Sequence, residues 1–355
     1  MSELLSRGAA ALGRPVTALA VAGGAVGVLA FLAALATGRA GAALGSLSAS
    51  WLFAAGLAAG GIALSAAMRL ARARWAAEVL PVAESTGAFF LPALALLAVI
   101  LLGARSFVPW AAGDGSGGRL VAMSARLLAA SAVLFLAGGL YLRGLRRDRA
   151  WAGRAGVAYL LLYVAVLSVW AYDLVMGLAP GPPSTVVPAY YFTGAFVSAI
   201  AFVALLSAAR GRPGPDARHD LGKLLFAFIV FWSYLLWALF LPTWYGNVPE
   251  EVGPLLARWR GPFKALTVAV LLGVFAFPFW LLFSERLKRM RTTLAVGAAA
   301  VSLGMLGERF LLVLPSLGLR ADAASLAMGA GVTLGVLGLL VLSVGARLGA
   351  PGPEG

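Results

Sequence analysis

Asp220 and Lys223 lie three residues apart, a spacing that sets both side chains on one face of a helix. The same face continues through Ala227 and Phe231 to Tyr234, so a polar stripe would reach from the start of an apolar run to a phenol inside it. His219 precedes the run and reads as loop-borne; its imidazole, with an ordinary pKa near ~6.5, could collect protons there. Asp173 closes an earlier apolar run, and Glu308 with Arg309 sits late in another. Ionised groups at such depths are costly unless they face water or a partner. The chemistry these residues could perform is therefore proton movement, or contact with another polar surface. Neighbours on a helix diverge, so Glu308 and Arg309 each call for a partner from elsewhere. Asp173, also near the outer end of its run, is the expected partner of Arg309.

Other chemistry is closed to the chain by what it lacks. There is no cysteine to hold an iron–sulfur cluster, a thiolate-bound metal or a disulfide. A single histidine cannot supply a bis-histidine haem or a histidine-rich metal site. The expectation is that this polypeptide binds no metal and no redox centre of its own.

The elements that must position these residues are apolar runs. Hydrophobic residues make up 61% of the 355 and charged residues 12%, against about 25% charged in soluble domains. Ten runs are long enough to cross about 30 Å of hydrocarbon as helices. They fall at 16–36, 49–68, 87–103, 121–142, 157–178, 186–208, 220–243, 263–284, 292–314 and 325–346, and are numbered here as spans 1 to 10. Open strands would leave backbone groups unpaired in lipid. The fold class is therefore all-α and polytopic. The first run is longer than the core of a signal peptide, so it reads as a retained helix.

A net charge of +14 could suggest nucleic acid, but the placement of the basic residues argues for topology instead. Most Lys and Arg fall at the termini and in the loops after spans 2, 4, 6 and 8. The positive-inside rule then puts both termini in the cytoplasm. The stretches 143–149 and 285–291 read as inner-face anchors that could also grip anionic lipid heads.

The uncharged, proline-rich segment 177–185 divides the chain into two bundles, 49–178 and 186–314, with spans 1 and 10 peripheral. Gly23/Gly27, Gly56/Gly60 and Gly331/Gly335 repeat at four-residue spacing in spans 1, 2 and 10. Such pairs let helix backbones approach closely in lipid. Pro92 and Pro278 should kink spans 3 and 8, a device that transporters use to build ion sites. Beyond span 7, Trp244, Tyr245, Asn247, Glu250 and Glu251 form a dense outer rim suited to a partner protein, and Trp259 fits an aromatic belt.

Several of these residues resemble one family. Leu221-Gly222-Lys223, Phe231-Trp232-x-Tyr234 and Trp244-Tyr245-x-Asn247-x-Pro249-Glu250-Glu251 are similar to the signature of an integral membrane subunit of alternative complex III, the one that lies beside the quinol-site subunit. That complex is a bacterial quinol:cytochrome c oxidoreductase, and its membrane subunits are related to those of polysulfide reductase. Tyr191-Phe192-x-Gly194, Pro278-Phe279, Lys288-Arg289 and the stretch 307–315 agree. The matches cover about 170 to 316. Two departures stand out: Ala179 occupies the place of a family glutamate, and Glu308 is the nearest acid where an aspartate is expected.

The resemblance implies a ten-helix subunit of a bacterial cytoplasmic membrane, beside a related quinol-site membrane subunit. Haem c and iron–sulfur clusters would belong to multihaem cytochrome and iron–sulfur partner subunits. Quinone or quinol contact and a proton path through Asp173, Asp220, Lys223, Tyr234, Glu308 and Arg309 are expectations on the same footing. A stand-alone secondary transporter and a purely structural scaffold are the rival readings.

Overall fold

The computed structural model describes residues 2–113, 115–179, 184–318 and 322–350. Ten helical spans cross the molecule: Arg14–Ala36, Ala40–Leu70, Leu80–Leu102, Gly117–Arg146, Ala152–Leu178, Val186–Ala209, Pro215–Gly246, Phe263–Phe283, Arg291–Leu317 and Ala323–Leu348. No strand occurs among the described residues. The chain is thus an all-α, multi-pass membrane protein. Most spans run past the edges of their apolar cores. Arginine-bearing and small-residue flanks continue a helix once the hydrocarbon has fixed its direction.

Span 2 is the axis of the molecule. It packs against spans 3, 5, 6, 9 and 10, and it is the most enclosed of the ten. Its composition explains this. Ala54, Ala55, Ala58, Ala59 and Ala63 are all fully buried and let neighbouring helices approach from every side. A Cβ on Gly60 would stand 2.9 Å from the Ala195 carbonyl and 2.9 Å from Ala199 Cβ, so the expected Gly56/Gly60 contact is with span 6. Trp51 anchors the opposite side. Its ring centroid is 4.6 Å from that of Trp170, and its indole N–H donates to the Ala93 carbonyl at 2.6 Å.

Span 1 packs along span 10 and faces outward elsewhere, with Leu19 and Leu29 exposed. The seam is glycine on glycine. A Cβ on Gly27 would stand 2.9 Å from the Gly335 nitrogen and closer still to its Cα, and one on Gly338 would collide with the Ala20 carbonyl. Span 10 packs in turn on span 2, where the Ser50 hydroxyl donates to Thr333 at 3.0 Å.

Span 10 begins at Asp322, whose carboxylate accepts the Ser325 backbone N–H at 2.7 Å and lies 3.3 Å from Arg39. The backbone hydrogen bond from Ser325, first, and then its side chain and Arg39 hold this carboxyl below its ordinary 3.8. A depressed carboxylate stabilises the fold fully above its unfolded pKa and loses that contribution as pH falls through the folded value. Asp322→Asn keeps an acceptor for the cap. The variant should lower the melting temperature slightly near neutrality, where the charge contributes, and so flatten the acid limb of the thermal-stability profile.

Both expected prolines coincide with irregular helix. Span 3 passes through a 3-10 stretch, Thr86–Phe89, before Pro92. Span 8 carries a π-helical stretch, Leu271–Ala276, two residues before Pro278. The proline ring cannot donate to the carbonyl four residues back, and in span 8 widening the preceding turn relieves the clash. Of segment 177–185, residues 180–183 lie outside the described residues.

Candidate functional site

Glu308 and Arg309 are buried together where spans 6, 7 and 9 meet. Span 9 runs from the basic face, and its rise puts them about 25 Å along, in the half of the span far from that face. Arg309 is 0% exposed and Glu308 2%. Contrary to expectation, each is the other's ionic partner: Arg309 Nη1 lies 3.0 Å from Glu308 Oε2. Side chains of sequence neighbours leave the helix about 100° apart, so the guanidinium comes in from the side. Charges meet, but hydrogen-bond geometry does not. Both Glu308 oxygens, together with Arg309 Nε and Nη1, make no hydrogen bond.

The rest of the cradle comes from spans 6 and 7. Arg309 Nη2 donates to the Tyr191 carbonyl at 3.3 Å, and its Cζ lies 4.4 Å from the centre of the Tyr191 ring. Tyr190 and Arg258 are the other charged or titratable groups facing Glu308. The Tyr190 ring packs on Trp232 at 5.4 Å, and the Trp232 N–H is buried without an acceptor. Gly194 leaves the space. A Cβ there would stand 2.7 Å from Arg309 Nη2 and 2.8 Å from Met305 Cε. The pair is therefore a built feature of three helices with unused polar valence, which is expensive in hydrocarbon.

Asp173 is elsewhere. Its carboxylate takes a two-pronged contact from Arg126 of span 4, at 2.9 and 2.5 Å. The expected Asp173–Arg309 pair is thus overturned, because Arg309 turns inward while Arg126 lies within reach of the outer end of span 5. Arg126 is 53% exposed, so solvent or headgroups screen this pair and its contribution is small.

At the basic face, span 7 begins four residues before His219. Pro215 opens the helix and Asp216 lies in its first turn. His219 is therefore helical rather than loop-borne, and its Nδ1 is buried without a partner. Asp220, one turn inside, pairs with Lys223 at 2.6 Å. Arg289 joins Asp216 and Glu285. The hydrogen bond from Arg289, first, holds the Glu285 carboxyl below its ordinary range.

Lys288 is buried on span 7, its stem filling the place of a Cβ on Gly222 and its ammonium 5.7 Å from the centre of the Phe226 ring. Burial, first, and then the nearby Lys223 lower its pKa. The resemblance motifs Leu221-Gly222-Lys223 and Lys288-Arg289 thus form one cluster.

The stripe from this cluster does not enter the protein. Phe231 is 46% and Tyr234 62% exposed, with their rings stacked at 6.4 Å. Trp237, Phe240 and Trp244 continue the ladder at 5.6 and 6.3 Å. Tyr234 therefore faces outward. Trp244 and Tyr245 are exposed on the last turn of span 7, and Asn247, exposed, ends it in a left-handed conformation. Glu250 and Glu251 begin a short helix, Pro249–Ala257; their side chains lie outside the described residues.

A buried column of phenols, which the spacing of the sequence does not announce, crosses the interior instead. Tyr191 donates to the Leu52 carbonyl at 3.0 Å, Tyr163 to the Phe192 carbonyl at 2.7 Å and Tyr159 to the Ala59 carbonyl at 3.0 Å. Tyr141 is 3.3 Å from the Ser65 hydroxyl, which donates to Glu84 at 2.9 Å. Glu84 in turn takes Arg69 at 2.6 Å. No family model matches this chain, and no curated protein matches it.

Proposed function

We propose that the chain is a membrane subunit of a bacterial quinol-oxidising respiratory complex of the alternative complex III kind, carrying protons partway from each face. The observation that bears this reading is the Glu308–Arg309 pair. A carboxylate sealed among three helices with both oxygens unbonded has no stabilising purpose that an apolar pair would not serve better. Tyr191, Tyr159 and Tyr141 stand at successive levels along span 2 toward Glu84 at the basic face; each hydroxyl keeps acceptor capacity, and water between the levels would have to carry a proton from one to the next.

Among the described residues, those around Glu308 and Tyr234 suit a quinone slot poorly. Tyr190, Tyr191, Trp232 and Met305 crowd Glu308 and Arg309, and the Tyr234 phenol stands on an open helix face. Quinol oxidation therefore falls to the related membrane subunit, with haem c and iron–sulfur clusters in the outer partners. The exposed aromatic ladder of span 7 and the rim from Trp244 to Asn247 suit contact with those subunits. The interrupted spans 3 and 8 are the feature that favours a secondary transporter. Their breaks, however, carry no charge. Leu271–Ala276 is wholly apolar, and the Thr86 hydroxyl sits against the Ala58 and Ala83 carbonyls.

Purification in mild detergent tests the assembly. Co-purification with multihaem cytochrome and iron–sulfur proteins supports the reading, and a lone homo-oligomer sinks it. In the assembled complex, Glu308→Gln should lower the number of protons released per quinol oxidised while leaving electron transfer to cytochrome c intact. Unchanged stoichiometry in Glu308→Gln and in Asp220→Asn would leave a scaffold.

A further inference from the structure

Span 3 lies between spans 4 and 10 and begins at Leu80 on the basic face. Its outward side carries Ala88, Leu91, Ala95, Val99 and Leu102 at helical spacing, with Leu91 77% and Leu102 88% exposed. The flanks are fixed. Phe90 stacks on Phe135 of span 4 at 4.6 Å, a Cβ on Gly87 would press on Leu142, and span 10 packs across Thr86–Phe89. Ala88 and Ala95 alternate with Leu91 and Val99 on this side, so span 3 presents an uneven, wholly apolar track between its two neighbours.

The basic end of this track is crowded with like charge. Span 4 ends in Arg143 and Arg146, Arg147 follows, and span 10 ends in Arg347. The charges facing Arg146 are Arg347, Glu84, Arg143 and Arg147. Glu84 is spoken for: its Oε1 accepts from Arg69 Nε, Arg69 Nη2 and Ser65. Arg146 Nε reaches the Leu142 carbonyl at 3.3 Å. Asp148 is exposed in the turn that follows. Among the described residues, Arg143, Arg146, Arg147 and Arg347 form no ion pair. Two helices thus bring guanidinium groups together beside span 3, and among the described residues Glu84, already held by Arg69, is the one anion that faces Arg146.

We propose that this is a binding site for an anionic phospholipid of the basic-face leaflet. The headgroup phosphate sits between Arg146 and Arg347, and an acyl chain lies along Ala88, Leu91 and Ala95. Arginine suits the headgroup because its fork meets two phosphate oxygens at once. The charge selects the lipid, and the track orients it. A soluble anion would satisfy the charge alone and leave Leu91 uncovered.

Native mass spectrometry of the full chain, exchanged from mild detergent into phosphatidylglycerol or phosphatidylcholine, tests this. Phosphatidylglycerol should be retained in preference to phosphatidylcholine. The double variant R146Q/R347Q should weaken retention about thirty-fold, from roughly one surface-charge contribution per arginine. R212Q, which removes an exposed arginine of the loop after span 6 on the same face, should leave it unchanged. Ala95→Phe blocks the track without touching a charge, and it should also release the lipid while the melting temperature in detergent holds. Equal retention of the two lipids, equal retention in R146Q/R347Q, or full displacement by inorganic phosphate would overturn the site.

Discussion

Arg309→Met is expected to cost about 3–5 kcal/mol of stability, because it strands the buried Glu308 carboxylate without a cation. Methionine keeps much of the stem volume beside Gly194 and Tyr191, so the loss reports charge more than packing. The second variant, Glu308→Gln with Arg309→Met, should recover more than half of that loss, since it leaves no uncompensated charge at the site. The measurement is a double-mutant cycle on thermal or denaturant unfolding in one detergent. A loss in the double variant equal to the sum of the losses in Arg309→Met and Glu308→Gln would mean that the 3.0 Å contact between the two residues carries no coupling.

The second large effect lies at the seam between spans 1 and 10. Gly27→Ala drives a methyl group into Gly335, 2.9 Å from its nitrogen, where backbone rather than a flexible side chain must yield. Separating the helices should cost about 1–3 kcal/mol. Intrinsic helix propensity opposes this with roughly 1 kcal/mol in favour of alanine. Gly24 provides the contrast within the same helix, since nothing lies within 4 Å of its Cβ position. Gly24→Ala should therefore hold or raise the melting temperature while Gly27→Ala lowers it and speeds proteolysis near Arg39. Identical behaviour of the two variants would remove the seam as a source of stability.

What is legible in the sequence depends on whether a feature is local. Ten apolar runs name ten helices, because length against bilayer thickness is a local property. The small-residue pairs also point to close contacts, and Gly23/Gly27 finds Gly331/Gly335. Partner identity is a different matter. It depends on the rotation of each helix about its axis, which hydropathy does not encode. Arg126, which nothing in its apolar run singles out, holds Asp173. Arg309, expected to meet Asp173, turns instead to its own neighbour. By spacing alone Tyr234 prolongs an inward stripe, yet it faces out because Leu225, Ile229 and Trp232 take the buried side of span 7. The phenols of Tyr159 and Tyr163 leave no mark in the sequence, since a tyrosine in an apolar run is indistinguishable from ordinary bulk until its acceptor is known.

The adjacency of Glu308 and Arg309 bears on how the chain is assembled. Both charges ride into the membrane on a single helix, so neither can be delivered without the other. The groups that receive them, Tyr190, Tyr191, Gly194 and Trp232, belong to helices synthesised earlier. The receptacle is thus already in place when its charged occupant leaves the ribosome, and a shortened chain ending after span 8 would hold an empty polar socket open to lipid.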